Sequence, residues 1–154
     1  MPKLKAVVFT ADVYGPTLPE DSDYRKGIEQ SIAADDMSSE VVLHDGVPHA
    51  ETSALYASHE TFVNLSSSGM YDKTLFEAAA SGALVVALSD DFAALSDPRF
   101  VPHDASAEAV AETLERVLAL SEEEKEKACA MFRAIAEKNS LATLGARLAE
   151  EITL

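Results

Sequence analysis

Five residues within nine positions carry the chemistry most readily proposed for this sequence: Gly69, Asp72, Lys73, Thr74 and Glu77. They follow a short β-rich run, Thr61–Leu65, and lead into helix-forming residues, Lys73–Ser81. A strand-to-helix loop of this kind suits a diphosphate, because the free N–H groups and dipole of a helix N-terminus attract an anion. Gly69 lets a ligand approach the backbone, and Lys73 adds a point charge for a phosphate. Glu77, one turn deeper, can accept two hydrogen bonds from a sugar diol. A purely local account stands beside this one. Thr74-x-x-Glu77 also has the form of a capping box, which would use Glu77 at the helix start and leave Lys73 solvated.

Other chemistries find little support. His44, His49, His59 and His103 lack HExxH spacing, so each is expected as a surface or loop histidine, and no metal is implied. Ser66, Ser67 and Ser68 have no G-x-S-x-G frame, and there is no G-x-G-x-x-G or Walker loop. The single cysteine, Cys129, excludes an internal disulfide and reads as a small helix residue in a reducing compartment.

The elements around the loop read as alternating strands and helices. Leu4–Thr10 is expected as a first strand, Ala11–Asp23 as a loop, and Tyr24–Ala34 as a helix with Ile28 and Ile32 on one face. Val41–Leu43 is expected as a strand, Val47–His49 as a turn, and Ala50–Ala57 as a short helix turning Leu55 and Tyr56 inward. Gly82 ends the helix after the loop, and the apolar run Ala83–Leu88 follows as a buried strand. A helical turn through Leu95 and an edge strand at Phe100-Val101 come next. Ser106 caps a helix with a Val110, Leu114, Val117 and Leu118 stripe. Ser121-x-x-Glu124 opens another, whose core face is Ala128, Phe132, Ile135 and Ala136. A last helix carries Leu141, Leu144, Leu148 and Ile152. These elements make an α/β, Rossmann-like three-layer domain with a mostly parallel sheet and a helical C-terminal segment.

With 154 residues, 47% of them apolar, the chain can bury a core as one domain. The formal charge of −15 argues against a nucleic-acid partner, since phosphate backbones need a basic field. No apolar run approaches the roughly 20 residues of a membrane span, and the N-terminus lacks a secretory pattern. The expected location is cytoplasmic, with a peripheral place at the inner membrane face as an option for a parent protein.

The run VNLSSSGMYDKTLFEAAASGALVVAL resembles the signature of the group 1 (family four) retaining glycosyltransferases, whose two-domain form is called GT-B. Their donor-binding domain has a strand, a small-residue loop, a helix reading Glu-Ala-Met-Ala-x-Gly, then Pro-Val-Val-Ala. This chain has Glu77-Ala78-Ala79-Ala80-Ser81-Gly82, then Ala83-Leu84-Val85-Val86-Ala87. Leu43–Pro48 resembles the family's strand-Gly-turn segment, Glu51–Tyr56 its next helix, and Ser106–Val117 its Ala-rich helix.

The resemblance implies one half of a GT-B fold: a single nucleotide-sugar-binding domain over residues 1–154. That domain would lack its first strand-helix unit and the N-terminal acceptor domain. It implies a UDP- or GDP-linked donor as substrate, no further cofactor, and a sugar moved to a glycan or lipid-linked acceptor. Glu77 would hold ribose, and Ser68, Gly69, Met70, Asp72, Lys73 and Thr74 the diphosphate and sugar. Gly46, Val47 and Pro48 would lie against the nucleobase. The chain departs from the pattern where the family's first Glu falls on Gly69, and Met70-Tyr71-Asp72 replaces Gly-Phe-Gly. Some members have a Gly-x-x-Asp-Lys version of this loop. The half shows no catalytic base. A bare sheet edge near Leu4 would favour self-association. A non-catalytic binding module on the same scaffold, and an α/β domain unrelated to sugars, are the rival readings.

Overall fold

The computed structural model describes residues 10–16, 18–66 and 72–152. The chain forms two compact units, Met1–Thr52 and Ser53–Leu154.

In the first unit, strand β1 (Ala11–Tyr14) pairs in parallel with β2 (Val41–His44), and helix α1 (Ser22–Ala34) connects them. The strand expected over Leu4–Thr10, with its sheet edge, lies outside the described residues apart from Thr10, which precedes β1. The loop expected over Ala11–Asp23 begins later. Ala11–Tyr14 is strand, because Val13 and Tyr14 favour extended backbone and β2 offers ladder partners; the breakers start only at Gly15 and Pro16. Pro19–Asp21 winds into a 3-10 turn ahead of α1, with proline at its first position. Helix α2 (His49–Ala57) runs from the first unit into the second, and both Leu55 and Tyr56 are half-buried.

The second unit holds the parallel pair β3 (Thr61–Asn64) and β4 (Leu84–Ala87), joined by α3 (Lys73–Ser81). This is the expected βαβ unit. All four β4 residues are buried, as in a strand covered on both faces. Leu75, Ala78 and Ala79 form the buried stripe of α3. A short helix, α4 (Asp90–Ala93), follows β4, then α5 (Ala107–Leu118), α6 (Glu122–Lys138) and α7 (Leu141–Ile152).

Helix α6 packs on α3 and β4 through Ala128, Phe132, Ile135 and Ala136, the core face that its period predicts. Phe132 lies between the rings of Phe92 and Phe100, with centroids at 5.8 and 5.0 Å. The expected edge strand at Phe100-Val101 is absent. Pro98 and the Asp97 carboxylate, which accepts from the Arg99 N–H at 2.9 Å, wind Pro98–Phe100 into a 3-10 turn that drops Phe100 into the core. The buried stripe of α5 is Ala109, Thr113 and Val117, with Val110, Leu114 and Leu118 half-buried beside it. Small residues sit at the centre of that contact, and the Thr113 hydroxyl is satisfied by the Ala109 carbonyl at 2.9 Å. Leu141, Leu144, Leu148 and Ile152 of α7 are each at least half exposed, so this helix covers no core among the described residues.

Candidate functional site

The site begins at the carboxyl end of β3, the side of an α/β sheet on which ligands bind. Asp72, not Thr74, caps α3. Its Oδ1 accepts from the Thr74 N–H at 3.0 Å and from the Thr74 hydroxyl at 2.7 Å. Asn64, the last residue of β3, donates through Nδ2 to Asp72 Oδ2 at 2.5 Å and, more weakly, to Thr74 Oγ1 at 3.4 Å. Its Oδ1 accepts from the Ser66 N–H at 2.8 Å. Burial pushes the Asp72 carboxyl up, but the bonds from the Thr74 hydroxyl, the Thr74 N–H and Asn64 outweigh it and hold the group below the usual carboxylate range.

This cap overturns the Thr74-x-x-Glu77 capping box. Thr74 is the second helical residue, its N–H and hydroxyl already committed, so Glu77 is not drawn back to the helix start. Lys73 is exposed and Glu77 half-buried. They stand four apart on one helix face. Among the described residues neither side chain has a hydrogen bond or ion pair. Tyr56 of α2 faces the same carboxylates: its burial, then the charges of Glu77 and Asp72, push its hydroxyl up. Sequence reasoning marks Tyr56 only as an inward-facing residue and does not mark Asn64 at all. Asn64 gave one signal, a polar residue closing a β-rich run just before the loop. Ser68, Gly69 and Met70 lie outside the described residues.

Gly46, Val47 and Pro48 belong to the first unit, in the turn from β2 to α2. A Cβ at Gly46 would lie 3.4 Å from the Pro16 nitrogen, in ordinary van der Waals contact with the Gly15-Pro16 loop. Beside this turn, at the carboxyl ends of β1 and β2, is an open cleft of about 330 Å³ bounded by Tyr14, Pro16, Tyr24, Arg25, Leu43 and His44. His44 ends β2 rather than lying in a loop. Its Nε2 meets Asp12 Oδ1 at 2.5 Å, and the Tyr14 ring stacks on it with centroids 4.5 Å apart. Arg25 reaches from α1 to the Leu43 carbonyl at 3.1 Å and to Glu29 at 3.1 Å. Within the second unit a broader hollow of about 680 Å³ opens beyond β4, bounded by Leu88, Asp90, Pro102, His103 and Arg116 among others.

Among the described residues, no three His, Cys, Asp or Glu side chains are grouped to hold a metal ion, and no helix is long and apolar enough to cross a membrane. Cys129 is half-buried in α6. Its thiol donates to the Gly82 carbonyl at 3.3 Å, and burial pushes it up, which suits the structural role expected of it.

No protein-family model matches the chain, and no curated protein does. Solved structures do. The chain is similar to Anabaena Alr3699/HepE in complex with UDP, with a TM-score of 0.75 and 20% identity over 94% of this chain. It is similar to the same protein in complex with UDP and glucose, with a TM-score of 0.70 and again 20% identity over 94%. This chain spans 41% and 40% of those two chains. At such identity the likeness is one of fold, and it agrees with the parallel βαβ units described above: the chain has the Rossmann-like α/β fold of a half-domain.

Proposed function

We propose that this chain is the donor-binding half of a GT-B-type glycosyltransferase of the group 1 (family four), retaining kind, moving a sugar from a UDP- or GDP-linked donor to a glycan or lipid-linked acceptor. The observation that carries the reading is the face shared by Lys73 and Glu77. A cation and a half-buried carboxylate stand at the ligand end of a parallel βαβ unit, with no bond to each other or to any other described residue. Glu77 holds the ribose diol and Lys73 the diphosphate; the resemblance assigns the Gly46-Val47-Pro48 turn of the first unit, taken by itself, to the base. Ser68, Gly69 and Met70 complete the loop around the diphosphate and sugar. The fold likeness to a protein that holds UDP and glucose supports the choice of ligand. The acceptor-binding domain is a separate body, the transfer site forms with it, and no metal takes part.

Titration with UDP and with GDP by calorimetry tests this. Glu77→Ala should weaken binding by about tenfold to a hundredfold, because hydrogen bonds to a charged group are worth roughly 1.5–3 kcal/mol. Equal affinity in both proteins removes Glu77 from the site. One observation favours a second reading, a non-catalytic binding module: Gly69 stands where the resemblance places a second carboxylate. Sugar transfer on supplying an acceptor domain in trans counts against it.

A further inference from the structure

The start of α3 can be built in two mutually exclusive ways, and they differ in what they leave of Glu77. In the frame present, Asp72 is the N-cap and takes the Thr74 N–H and hydroxyl. In the other, Thr74 is the N-cap; its hydroxyl oxygen would receive the Glu77 N–H, and the Glu77 carboxylate would turn back onto the Thr74 N–H. The second frame uses the sequence Thr74-x-x-Glu77 as it stands, and it consumes the carboxylate. What holds the first is Asn64, whose amide spans both flanks of the loop by accepting from the Ser66 N–H and donating to Asp72.

We propose that Asn64 is the positioning residue of the nucleotide site: by holding Asp72 as the cap of α3 it keeps Glu77 available to ligand. The inference rests on the nucleotide-binding reading above for its functional readout. The knot itself is a matter of geometry. Asn64 is half-buried at the end of β3, so its amide donates into the protein and not simply to water. The other titratable groups beside the knot are Tyr56 of α2, which feels the Asp72 charge, and Glu77, which Tyr56 also faces. Burial pushes the Tyr56 hydroxyl up, away from the pH range of the test, and Glu77 is common to every variant below.

The test is Asn64→Asp against Asn64→Ala and the wild type. In Asn64→Asp one oxygen can still accept from Ser66, but the other faces the Asp72 carboxylate. Two carboxylates sharing a site strongly raise one of their pKa values. At about pH 8 both are charged and the cap is expelled; near pH 5 one shared proton restores an O–H···O bond in place of the amide bond. The affinity of Asn64→Asp for UDP, taken as a ratio to wild type at the same pH, should fall by about tenfold at the higher pH and recover towards unity at the lower. Asn64→Ala should be weakened by the same ratio at both. The Thr74 amide should exchange with solvent faster in Asn64→Asp than in wild type at about pH 8, and with equal protection near pH 5. A ratio for Asn64→Asp that does not change with pH, or wild-type affinity at the higher pH, overturns the proposal. If the wild type binds no UDP, the nucleotide reading fails; the Thr74 amide then decides the knot, and unchanged protection in Asn64→Asp refutes it.

Discussion

Gly82→Ala tests how α3 is ended, and so what fixes the distance from the candidate site to β4. Gly82 has φ of +98°, and its N–H bonds to the Ala79 carbonyl while the Ala83 N–H bonds to that of Ala78 at 3.1 Å. That pairing is the Schellman arrangement, and it needs a left-handed residue. A Cβ in this conformation costs roughly 1–2 kcal/mol. It would also lie 2.5 Å from Arg133 Nη2. Arg133 is exposed, and the far end of its side chain can swing aside, so strain and not collision should dominate. The expected loss is about 1–2 kcal/mol, or roughly 2–8 °C in melting temperature for a chain of this length. Urea unfolding followed by circular dichroism measures it. Gly82→Asn separates the two causes, because it brings the same Cβ to Arg133 but tolerates the left-handed region better. Asparagine should therefore cost less than alanine. Equal losses in both, relieved by Arg133→Ala, would refute the strain argument and leave the collision as the cause; a neutral alanine would refute both.

Two further outcomes follow from the cap and the core. The Asp72 carboxyl lies below its ordinary range in the folded chain, so its ionised form stabilises the fold above about pH 4, and that contribution is lost as pH falls through the folded value. The stability gap between wild type and Asp72→Asn should be open at pH 7 and narrow near pH 3 in urea titrations; a gap independent of pH contradicts it. Phe132→Ala should cost about 3–5 kcal/mol, as expected for emptying a fully buried aromatic position between two rings. A loss under about 1.5 kcal/mol would mean that the pocket collapses around the missing ring.

The second unit was more legible in the sequence than the first because its signals are strong and local. Lys73–Ser81, the Gly82 stop, the Ser106 cap and the Ser121-x-x-Glu124 box each declare themselves within a few residues, and each stands in the structure. Ala11–Tyr14 did not, because four residues of strand beside a proline-rich segment depend on a partner thirty positions away. Phe100-Val101 looked extended because both residues favour strands; the turn was written in Asp97 and Pro98, just before them. The capping at α3 failed for a related reason. Asp72 and Thr74 are both good caps two residues apart, and the choice between them is made by Asn64, eight positions before Asp72 and across a loop. Local pattern cannot rank two such starts, but a bond that closes the loop can.

The small residues of α3 have a thermodynamic consequence for whatever binds there. Ala78 and Ala79 let α6 and β4 close over the inner side of the helix, and Leu75 is buried with them. The backbone beneath Glu77 is thus ordered by core packing and not by contact with a ligand. If Glu77 takes a ligand as proposed, the helical backbone that carries it is already ordered, and only the glutamate side chain of that residue has to be immobilised.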